Sequence, residues 1–226
     1  MASRPAGAHA RKPALTWSDD DRALMRADKV LRRVMEERGP IDPEIDRRGS
    51  RPDPWEALAR AIVGQQLSTR AARSIWEKLQ GLFDGRTPTP DQLLRRRRAT
   101  LRKAGLSNAK VEFLRDLAAR VKDGSLDLAR LATLSDEDVV AELIEVKGIG
   151  SWTAEMFLIF HLARPDVVSV GDLGIRRAVQ IAYGLDDLPG PEELERLAEE
   201  WRPHRTLACL YLWRSLDNTP VEAGPQ

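Results

Sequence analysis

The stretch EVKGIGSWTAEM, from Glu145 to Met156, joins two segments in which apolar residues recur at helical spacing. Gly148 and Gly150 lie at the junction, and each would cost about 1 kcal/mol relative to alanine inside a helix. Glycine also adopts the positive φ angles that tight turns require. The stretch therefore predicts a helix, a sharp glycine-dependent turn and a second helix, with Ser151 as the cap of the second helix.

Outside this junction, the chain consists of further helical segments separated by glycine, proline and short connections. One continuous helix is expected over residues 18–39 and another over residues 89–105, whereas residues 53–83 should form two helices broken near Gly64 to Ser68. Alternating β patterns are almost absent, which leaves no basis for a sheet. The sequence therefore predicts an all-α fold.

The composition of the 226-residue chain indicates a globular protein, with 42% hydrophobic and 31% charged residues. No apolar run approaches the roughly 18 residues that a membrane-spanning helix needs. The N-terminal segment has basic residues but lacks the apolar core of a secretory signal. We therefore expect no membrane association and a cytoplasmic location, associated with the nucleoid if the protein is bacterial.

Cysteine and histidine usage limits the metal chemistry of the chain. A single cysteine, Cys209, excludes an intramolecular disulfide and a four-cysteine zinc or iron–sulfur site. The three histidines lie far apart and lack zinc-ligand spacing. The net charge is only +1, and the four consecutive arginines at 95–98 are interpreted as a solvated helix face rather than a nucleic-acid contact.

The glycine-containing turn has the features of an anion-binding site. A turn of this kind exposes successive backbone N–H groups, and the first N–H groups of the following helix have no intrahelical partner. An ordinary hairpin of two helices remains the alternative explanation. On the anion-binding interpretation, the candidate phosphate-contacting residues are those of the turn and the first helical turn: Lys147, Gly148, Ile149, Gly150, Ser151 and Thr153.

A carboxylate follows the hairpin at the start of another predicted helix. Asp172 lies twenty residues after Trp152 and should act as the N-cap of that helix, where it could also pair with Arg176. The helix dipole stabilises such a carboxylate in its ionised form. A permanently ionised carboxylate beside a bound phosphate backbone is unusual unless it takes part in the chemistry.

The order Val146, Lys147, Gly148, Ile149, Gly150 resembles the helix-hairpin-helix motif, which grips nucleic-acid backbone without reading the sequence. With Asp172 downstream, the chain resembles the helix-hairpin-helix DNA glycosylase superfamily, and within it the 3-methyladenine DNA glycosylase II branch. The resemblance runs from about Trp55 to Leu216. It rests on five segments in order: AIVGQQLS (61–68), GLSNAKVEFLRDLA (105–118), VKGIGSWTAEMFLIF (146–160), DVVSVGDLGIRRAV (166–179) and EEWRPHRTLACLYLWR (199–214).

The resemblance implies a two-lobed helical glycosylase fold in a compact form without the β-rich N-terminal domain of the bacterial prototype. The expected layout is a tail at 1–16, a helix and connection at 17–54, a lobe with the wedge loop at 55–130, a hairpin and catalytic lobe at 131–216, and a tail at 217–226.

The resemblance also implies a function. The chain is expected to be a monomer that acts on duplex DNA containing alkylated bases. It would flip out 3-methyladenine or 7-methylguanine and hydrolyse the N-glycosidic bond, which initiates base excision repair. Asp172 corresponds to the catalytic aspartate, and Trp152 stands where bifunctional relatives carry a lysine nucleophile, so a monofunctional enzyme is expected. The alternatives are another lesion (a deaminated or mismatched base, or 1-methyladenine) and a DNA-binding module without chemistry.

Further site residues are carried over by position. Trp152, Trp213 and Met156 match base-pocket positions, although Met156 replaces an aromatic residue of the prototype. Gln66 or its neighbour Gln65 matches the wedge that fills the gap left by a flipped base. A hydrogen bond to the orphaned base and helix capping are the alternative roles. Trp55, Trp76 and Trp201 are assigned to the core. No cofactor is required and no iron–sulfur cluster is expected, but a structural monovalent cation could bind the main-chain carbonyls of Ile144, Val146 and Ile149.

Overall fold

The structure is a computed structural model that describes residues 15–42 and 53–216. Throughout these residues, the regular secondary structure is helical, which confirms the predicted all-α fold. Most of both predicted tails, and most of the connection before Trp55, lie outside the described residues. The α-helices are α1 (Asp19–Ala27), α2 (Lys29–Arg38), α3 (Pro54–Gly64), α4 (Thr69–Gly81), α5 (Pro90–Arg95), α6 (Arg98–Arg102), α7 (Asn108–Asp123), α8 (Asp136–Ile144), α9 (Ser151–Phe160), α10 (Leu173–Tyr183), α11 (Pro191–Ala198) and α12 (Arg205–Leu216).

The helices pack around two apolar cores. The first core takes its side chains from residues 55–167, and the second joins the N-terminal helices α1 and α2 to the C-terminal helices α10 to α12. Phe160 and Trp213 pack against both cores. Because α8 and α9 contribute to the first core, the predicted boundary between residues 130 and 131 does not coincide with this division. The N-terminal helix α2 packs with α10 and α12 at the second core.

The tryptophans assigned to the core lie there. Trp55 and Trp76 are 6% and 2% exposed in the first core, and Trp201 is fully buried in the second. The break between two helices predicted near Gly64 to Ser68 is confirmed, since α3 ends at Gly64 and Ser68 caps α4. Within the described ranges, no helix is long and apolar enough to cross a membrane.

The continuous helix expected over residues 18–39 is broken at Asp28, so that prediction was wrong. Asp28 adopts an extended conformation and caps α2, because its Oδ1 accepts the N–H groups of Val30 and Leu31. Its Oδ2 accepts the indole N–H of Trp201 at 2.9 Å and the hydroxyl of Tyr183. Burial and this carboxylate raise the pKa of Tyr183, which keeps its hydroxyl a donor. Asp28 therefore fastens the N-terminal helices to the second core.

Replacing Asp28 with alanine is expected to lower the free energy of unfolding by about 3 kcal/mol. The change removes the cap of α2 and leaves the buried Trp201 indole N–H without its acceptor. Urea unfolding followed by tryptophan fluorescence measures the loss. Glu36→Ala, at an exposed position of the neighbouring helix, is the matched control and should change stability by less than about 0.5 kcal/mol. An equal effect of the two substitutions would contradict the role of Asp28.

The helix expected over residues 89–105 is also divided, into α5 and α6, because Arg96 takes an extended conformation. The four arginines at 95–98 are exposed, as predicted, but they do not form one helix face. Arg96 donates to the carbonyl of Leu82 and lies over the ring of Phe83. Arg95 and Arg98 pair with acidic side chains of the protein itself. The run therefore carries less free positive charge than its sequence indicates.

Candidate active site

Asp172 caps the helix that follows the hairpin, as its position in the sequence predicted. Its backbone is extended, and its Oδ1 accepts the N–H of Ile175 at 2.7 Å. The anticipated ion pair with Arg176 is not found among the described side chains. Arg176 instead donates its Nε–H to the carbonyl of Pro189 at 2.7 Å. The carboxylate of Asp172 is thus fixed by the backbone of α10 and left without a cationic partner on that helix.

Two tryptophans donate hydrogen bonds to the same carboxylate. The indole N–H of Trp152 reaches Oδ2 of Asp172 at 2.7 Å, and the indole N–H of Trp213 reaches Oδ1 at 2.9 Å. Gly174 leaves room for this approach, because a Cβ atom there would lie 3.0 Å from Oδ1 and 3.3 Å from the Trp213 ring. The structure therefore brings together three of the four residues assigned to catalysis and the base pocket, Asp172, Trp152 and Trp213. The sequence did not predict the two indole hydrogen bonds.

The surroundings of the carboxylate are partly apolar and partly open. Trp152 is 46% exposed, whereas Trp213 is half-buried and stacks on Phe160 with ring centroids 5.7 Å apart. Met156 is half-buried and packs against the first core. Leu173, next to Asp172, is 65% exposed and was not among the predicted site residues. The one signal in the sequence was an apolar residue directly after Asp172, the catalytic candidate, at the start of a predicted helix.

A second carboxyl group, missed in the sequence, belongs to the same region. Glu155 lies three residues after Trp152 on α9, and its Oε2 accepts the hydroxyl of Ser169 at 2.5 Å. Burial raises the pKa of Glu155, the hydrogen bond from Ser169 opposes that shift, and the negative charge of Asp172 adds to it. The charge of Asp172 therefore acts on a second carboxyl group in the same region.

The hairpin turn depends on Gly148. Its φ is +83°, and a Cβ atom at this position would lie 2.2 Å from the ring of Phe113. Gly150, with φ −102° and ψ 175°, is the N-cap of α9. The prediction that Ser151 caps this helix was therefore wrong, because the extended residue lies one position earlier. Among the described side chains, none caps α9, which leaves its N-terminal N–H groups for an external acceptor.

Two of the backbone donors assigned to phosphate are already used inside the protein. The N–H of Lys147 donates to the Asp116 carboxylate at 3.0 Å, and the N–H of Ile149 donates to the carbonyl of Val146 at 3.0 Å. The Lys147 ammonium lies 3.8 Å from Oδ1 of the same carboxylate, and its side chain is 73% exposed. Thr153 is only 6% exposed, so its side chain offers little surface to DNA. The available donors are the N–H groups of Gly150 and of the first turn of α9, for which the described part of the chain supplies no acceptor.

One face of α7 supports the hairpin and the neighbouring loop. Lys110, Phe113 and Asp116 are spaced three residues apart, so they lie along one side of the helix. Phe113 packs on Gly148, and Asp116 binds the N–H of Lys147. The ammonium of Lys110 donates to the carbonyls of Val63 and Gln65 at 2.8 Å each, and burial lowers its pKa. This helix therefore holds the end of α3 beside the hairpin.

The loop assigned as the wedge has one tethered glutamine and one exposed glutamine. Gln65 donates its side-chain amide to the carbonyl of Gly148 at 2.7 Å, which ties it to the hairpin. Gln66 has a φ of +57°, an uncommon angle for a residue other than glycine, and is exposed. Leu67 beside it is 38% exposed and was not among the residues predicted for the wedge. This geometry favours Gln66 over Gln65 and adds Leu67 at the loop tip.

The carbonyls considered for a cation lie at the end of α8 and in the turn. The carbonyl of Val146 accepts the N–H of Ile149, whereas no described donor binds the carbonyls of Ile144 and Ile149. Open carbonyl oxygens are suitable ligands for a hard cation. Within residues 15–42 and 53–216, no cluster of three or more histidine, cysteine or acidic side chains could hold a metal ion. The main-chain site is thus compatible with a cation.

Known proteins similar to the chain are DNA repair enzymes. A DNA-3-methyladenine glycosylase 1 of Schizosaccharomyces pombe is 34% identical over 165 residues, which cover 72% of each chain. A crystal structure of a DNA-3-methyladenine glycosidase from Bacillus halodurans is 36% identical, with a TM-score of 0.79, and the match covers 89% of this chain and 90% of that one. The 3-methyladenine DNA glycosylase of S. pombe in complex with abasic DNA gives 31% identity, a TM-score of 0.78, and coverage of 87% and 96%.

The match does not cover every relative to the same extent. It spans 58% of the DNA-3-methyladenine glycosylases of Bacillus subtilis and Saccharomyces cerevisiae and 61% of the DNA-3-methyladenine glycosylase 2 of Escherichia coli. The family model described as HhH-GPD superfamily base excision DNA repair protein matches residues 59–204, which include the hairpin, Asp172 and the wedge loop. The resemblance seen in the sequence is confirmed: the chain belongs to the HhH-GPD superfamily of base excision DNA repair proteins.

Proposed function

We propose that the chain is a DNA glycosylase that hydrolyses the N-glycosidic bond of alkylated purines in duplex DNA and so initiates base excision repair. Its principal substrate is 3-methyladenine, followed by 7-methylguanine. One observation carries the proposal: a carboxylate at a helix N-terminus, held by the indole N–H groups of Trp152 and Trp213, lies beside an exposed aromatic ring. The similarity to 3-methyladenine glycosylases supports the alkylated-purine substrate.

Asp172 acts through its negative charge. Cleavage of an N-glycosidic bond gives the sugar oxocarbenium character, which a fixed carboxylate stabilises. The three groups that donate to Asp172 are neutral, so they orient the carboxylate without cancelling its charge. Both oxygens already accept hydrogen bonds, which makes electrostatic stabilisation the main role of Asp172. Orientation of the attacking water is the second role.

Aromatic side chains bind the flipped base. An exposed indole ring attracts a cationic base through its face by about 0.5–2 kcal/mol, and a flipped base is normally stacked between aromatic or apolar side chains. Trp152 offers such a face. We assign the inner wall of the pocket to Trp213 and Met156, which are half-buried and pack against the first core. A purine alkylated at N3 or N7 already carries a positive charge and leaves readily. No separate general acid is needed for such a substrate.

The hairpin and the wedge loop hold the DNA. The N–H groups at the start of α9 and the exposed ammonium of Lys147 bind phosphate oxygens of the damaged strand without reading its sequence. Gln66, with Leu67 beside it, fills the gap that the flipped nucleotide leaves. A monovalent cation on the carbonyls of the hairpin would add positive charge at the same place. The protein works as a monomer and needs no redox cofactor.

Base release from defined lesions tests this function. The purified protein is expected to release 3-methyladenine, and more slowly 7-methylguanine, from methylated duplex DNA, and to leave uracil and mismatched bases in place. Chromatography of the released bases after single-turnover reactions provides the measurement. If the protein released only a deaminated base, its substrate would be that lesion rather than an alkylated purine. Failure to release any base from this panel would contradict the enzymatic proposal.

The reaction is expected to stop at hydrolysis. By the family resemblance, Trp152 stands where bifunctional relatives carry their lysine nucleophile, and a tryptophan cannot form a Schiff base with the sugar. Treatment of a reacting enzyme–DNA mixture with borohydride should therefore give no covalent complex, and the abasic strand should remain uncut. A trapped complex that withstands denaturing gels would contradict the monofunctional assignment.

A further inference from the structure

Helix α9 contacts the turn that carries Asp172 at two points. Trp152 donates to the Asp172 carboxylate, and one helical turn later Glu155 accepts from Ser169. The two residues of α9 are three positions apart, as are Ser169 and Asp172, so the contacts form a pair of parallel links between α9 and the turn. Only the first link belongs to the site as proposed above.

The second link leads directly to the catalytic candidate. Ser169 is fully buried, and its hydroxyl donates to Oε2 of Glu155 at 2.5 Å. The carbonyl of the same serine accepts the N–H of Asp172 at 3.1 Å. A shift of the Ser169 side chain would therefore displace the backbone that presents the Asp172 carboxylate. Glu155 controls that side chain from the neighbouring helix.

A contribution to the stability of the fold does not explain why a glutamate occupies position 155. Its half-buried carboxyl group loses hydration, and its charge is repelled by that of Asp172. Among the described residues, no lysine or arginine forms an ion pair with Glu155 that would compensate these costs. An apolar side chain of similar size would be expected to fit α9 at least as well. The hydrogen bond that this carboxyl group accepts from Ser169, present despite these costs, points to a role in the site.

We propose that Glu155 is a positioning residue for base release, which acts through Ser169 to fix the turn that carries Asp172. This inference rests on the proposed glycosylase function. Glu155 does not contact the substrate in this role. Its hydrogen bond to Ser169 sets the position of the Asp172 carboxylate relative to the sugar, where a misplacement of about 1 Å can cost two orders of magnitude in rate.

Three substitutions separate the hydrogen bond from the charge. Glu155→Ala and Ser169→Ala each remove the bond and are expected to slow single-turnover base release about tenfold, with unchanged affinity for abasic DNA. Glu155→Gln removes the charge but keeps a carbonyl oxygen for Ser169, so its rate should stay within about threefold of the wild type. The double variant Glu155→Ala with Ser169→Ala should be no slower than either single variant, because both lose the same bond. Glu195→Ala, at an exposed position of α11, is the control for removing a glutamate.

A second measurement does not depend on activity. The indole N–H resonance of Trp152, assigned by its loss in Trp152→Phe, reports the hydrogen bond to Asp172. Glu155→Ala and Ser169→Ala are expected to shift this resonance, whereas Glu155→Gln should leave it in place. Titration with abasic DNA gives the fraction of each variant that binds DNA. The measured rates are corrected for this fraction, so a partly unfolded variant is not mistaken for a slow enzyme.

The outcomes distinguish the inference from the proposed function. Wild-type protein that releases no base contradicts the function, and the Trp152 resonance then still tests the positioning. A wild-type rate for Glu155→Ala together with an unmoved resonance overturns the inference. Glu155→Gln that is as slow as Glu155→Ala also overturns it, since the charge rather than the bond to Ser169 would then matter.

Discussion

The Asp172→Asn protein should release alkylated purines about 10²–10³ times more slowly than the wild type, which corresponds to about 3–4 kcal/mol of lost transition-state stabilisation. Binding to duplex DNA that contains an abasic site should change little, because the hairpin and the wedge loop remain intact. Single-turnover base release and a fluorescence titration with abasic DNA measure the two quantities. The combination separates an enzyme from a DNA-binding module.

Asparagine is the informative replacement because it keeps the local structure. It is as good an N-cap as aspartate, and its oxygen can accept the N–H of Ile175. Its amide group, however, places a donor opposite the indole N–H of Trp152, where Oδ2 accepts in the wild type. The substitution therefore removes the negative charge and one orienting hydrogen bond while α10 still forms. Both losses act in the transition state rather than on folding.

Asp187 provides the matched control for the substitution of Asp172. Asp187→Asn neutralises an exposed aspartate in the loop after α10 and should leave both rate and affinity unchanged. Wild-type base release by Asp172→Asn would contradict the assigned mechanism. Loss of DNA binding together with activity would instead indicate that Asp172 supports the structure of the site.

Local patterns in the sequence predicted the hairpin and the helix cap that form the framework of the candidate site. A glycine pair between apolar helical segments predicted the hairpin, and an aspartate at the start of a helical segment predicted the N-cap. The assignment of Trp152 and Trp213 to the same site came from the family resemblance. Periodicity could not have joined them to Asp172, since Trp213 is 41 residues further along the chain. The hydrogen bonds depend on how α9, α10 and α12 pack.

The predictions that failed depended on residues far away in the sequence or on the exact residue at which a helix begins. Asp28 interrupts a strongly helical pattern because Tyr183 and Trp201, 155 and 173 residues away, donate to its carboxylate. The cap of α9 lies at Gly150 rather than Ser151, a shift of one residue that backbone geometry alone determines. The carboxylate of Glu155 faces Ser169 through the packing of a helix against a loop. None of these contacts has a local signature in the sequence.

Gly148→Ala is expected to lower the free energy of unfolding by about 2–5 kcal/mol. A residue with a Cβ atom is strained at a φ of +83°, and that atom would overlap the ring of Phe113 at 2.2–2.6 Å. The carbonyl of Gly148 also accepts the amide of Gln65, so a displaced turn would loosen the wedge loop as well. Urea unfolding measures the stability, and affinity for abasic DNA measures the loss of the hairpin surface.

Gly150 provides the matched control on the same turn. Its φ of −102° suits any residue, and a Cβ atom there would meet no atom within 4 Å. Gly150→Ala should therefore lower stability by no more than about 1–2 kcal/mol, the typical cost of placing alanine at an N-cap. A loss in Gly150→Ala as large as that in Gly148→Ala would mean that the hairpin tolerates no side chain in general.

A third variant divides the effect at Gly148 into its two causes. Phe113→Leu replaces the ring with a smaller, flexible side chain, and Gly148→Ala introduced into this background meets far less overlap. The cost of Gly148→Ala should then fall to about 1–2 kcal/mol, the strain of a left-handed conformation alone. This non-additivity is measured by a double-mutant cycle. If the cost were the same in both backgrounds, the contact with Phe113 would not be the reason that the turn requires glycine.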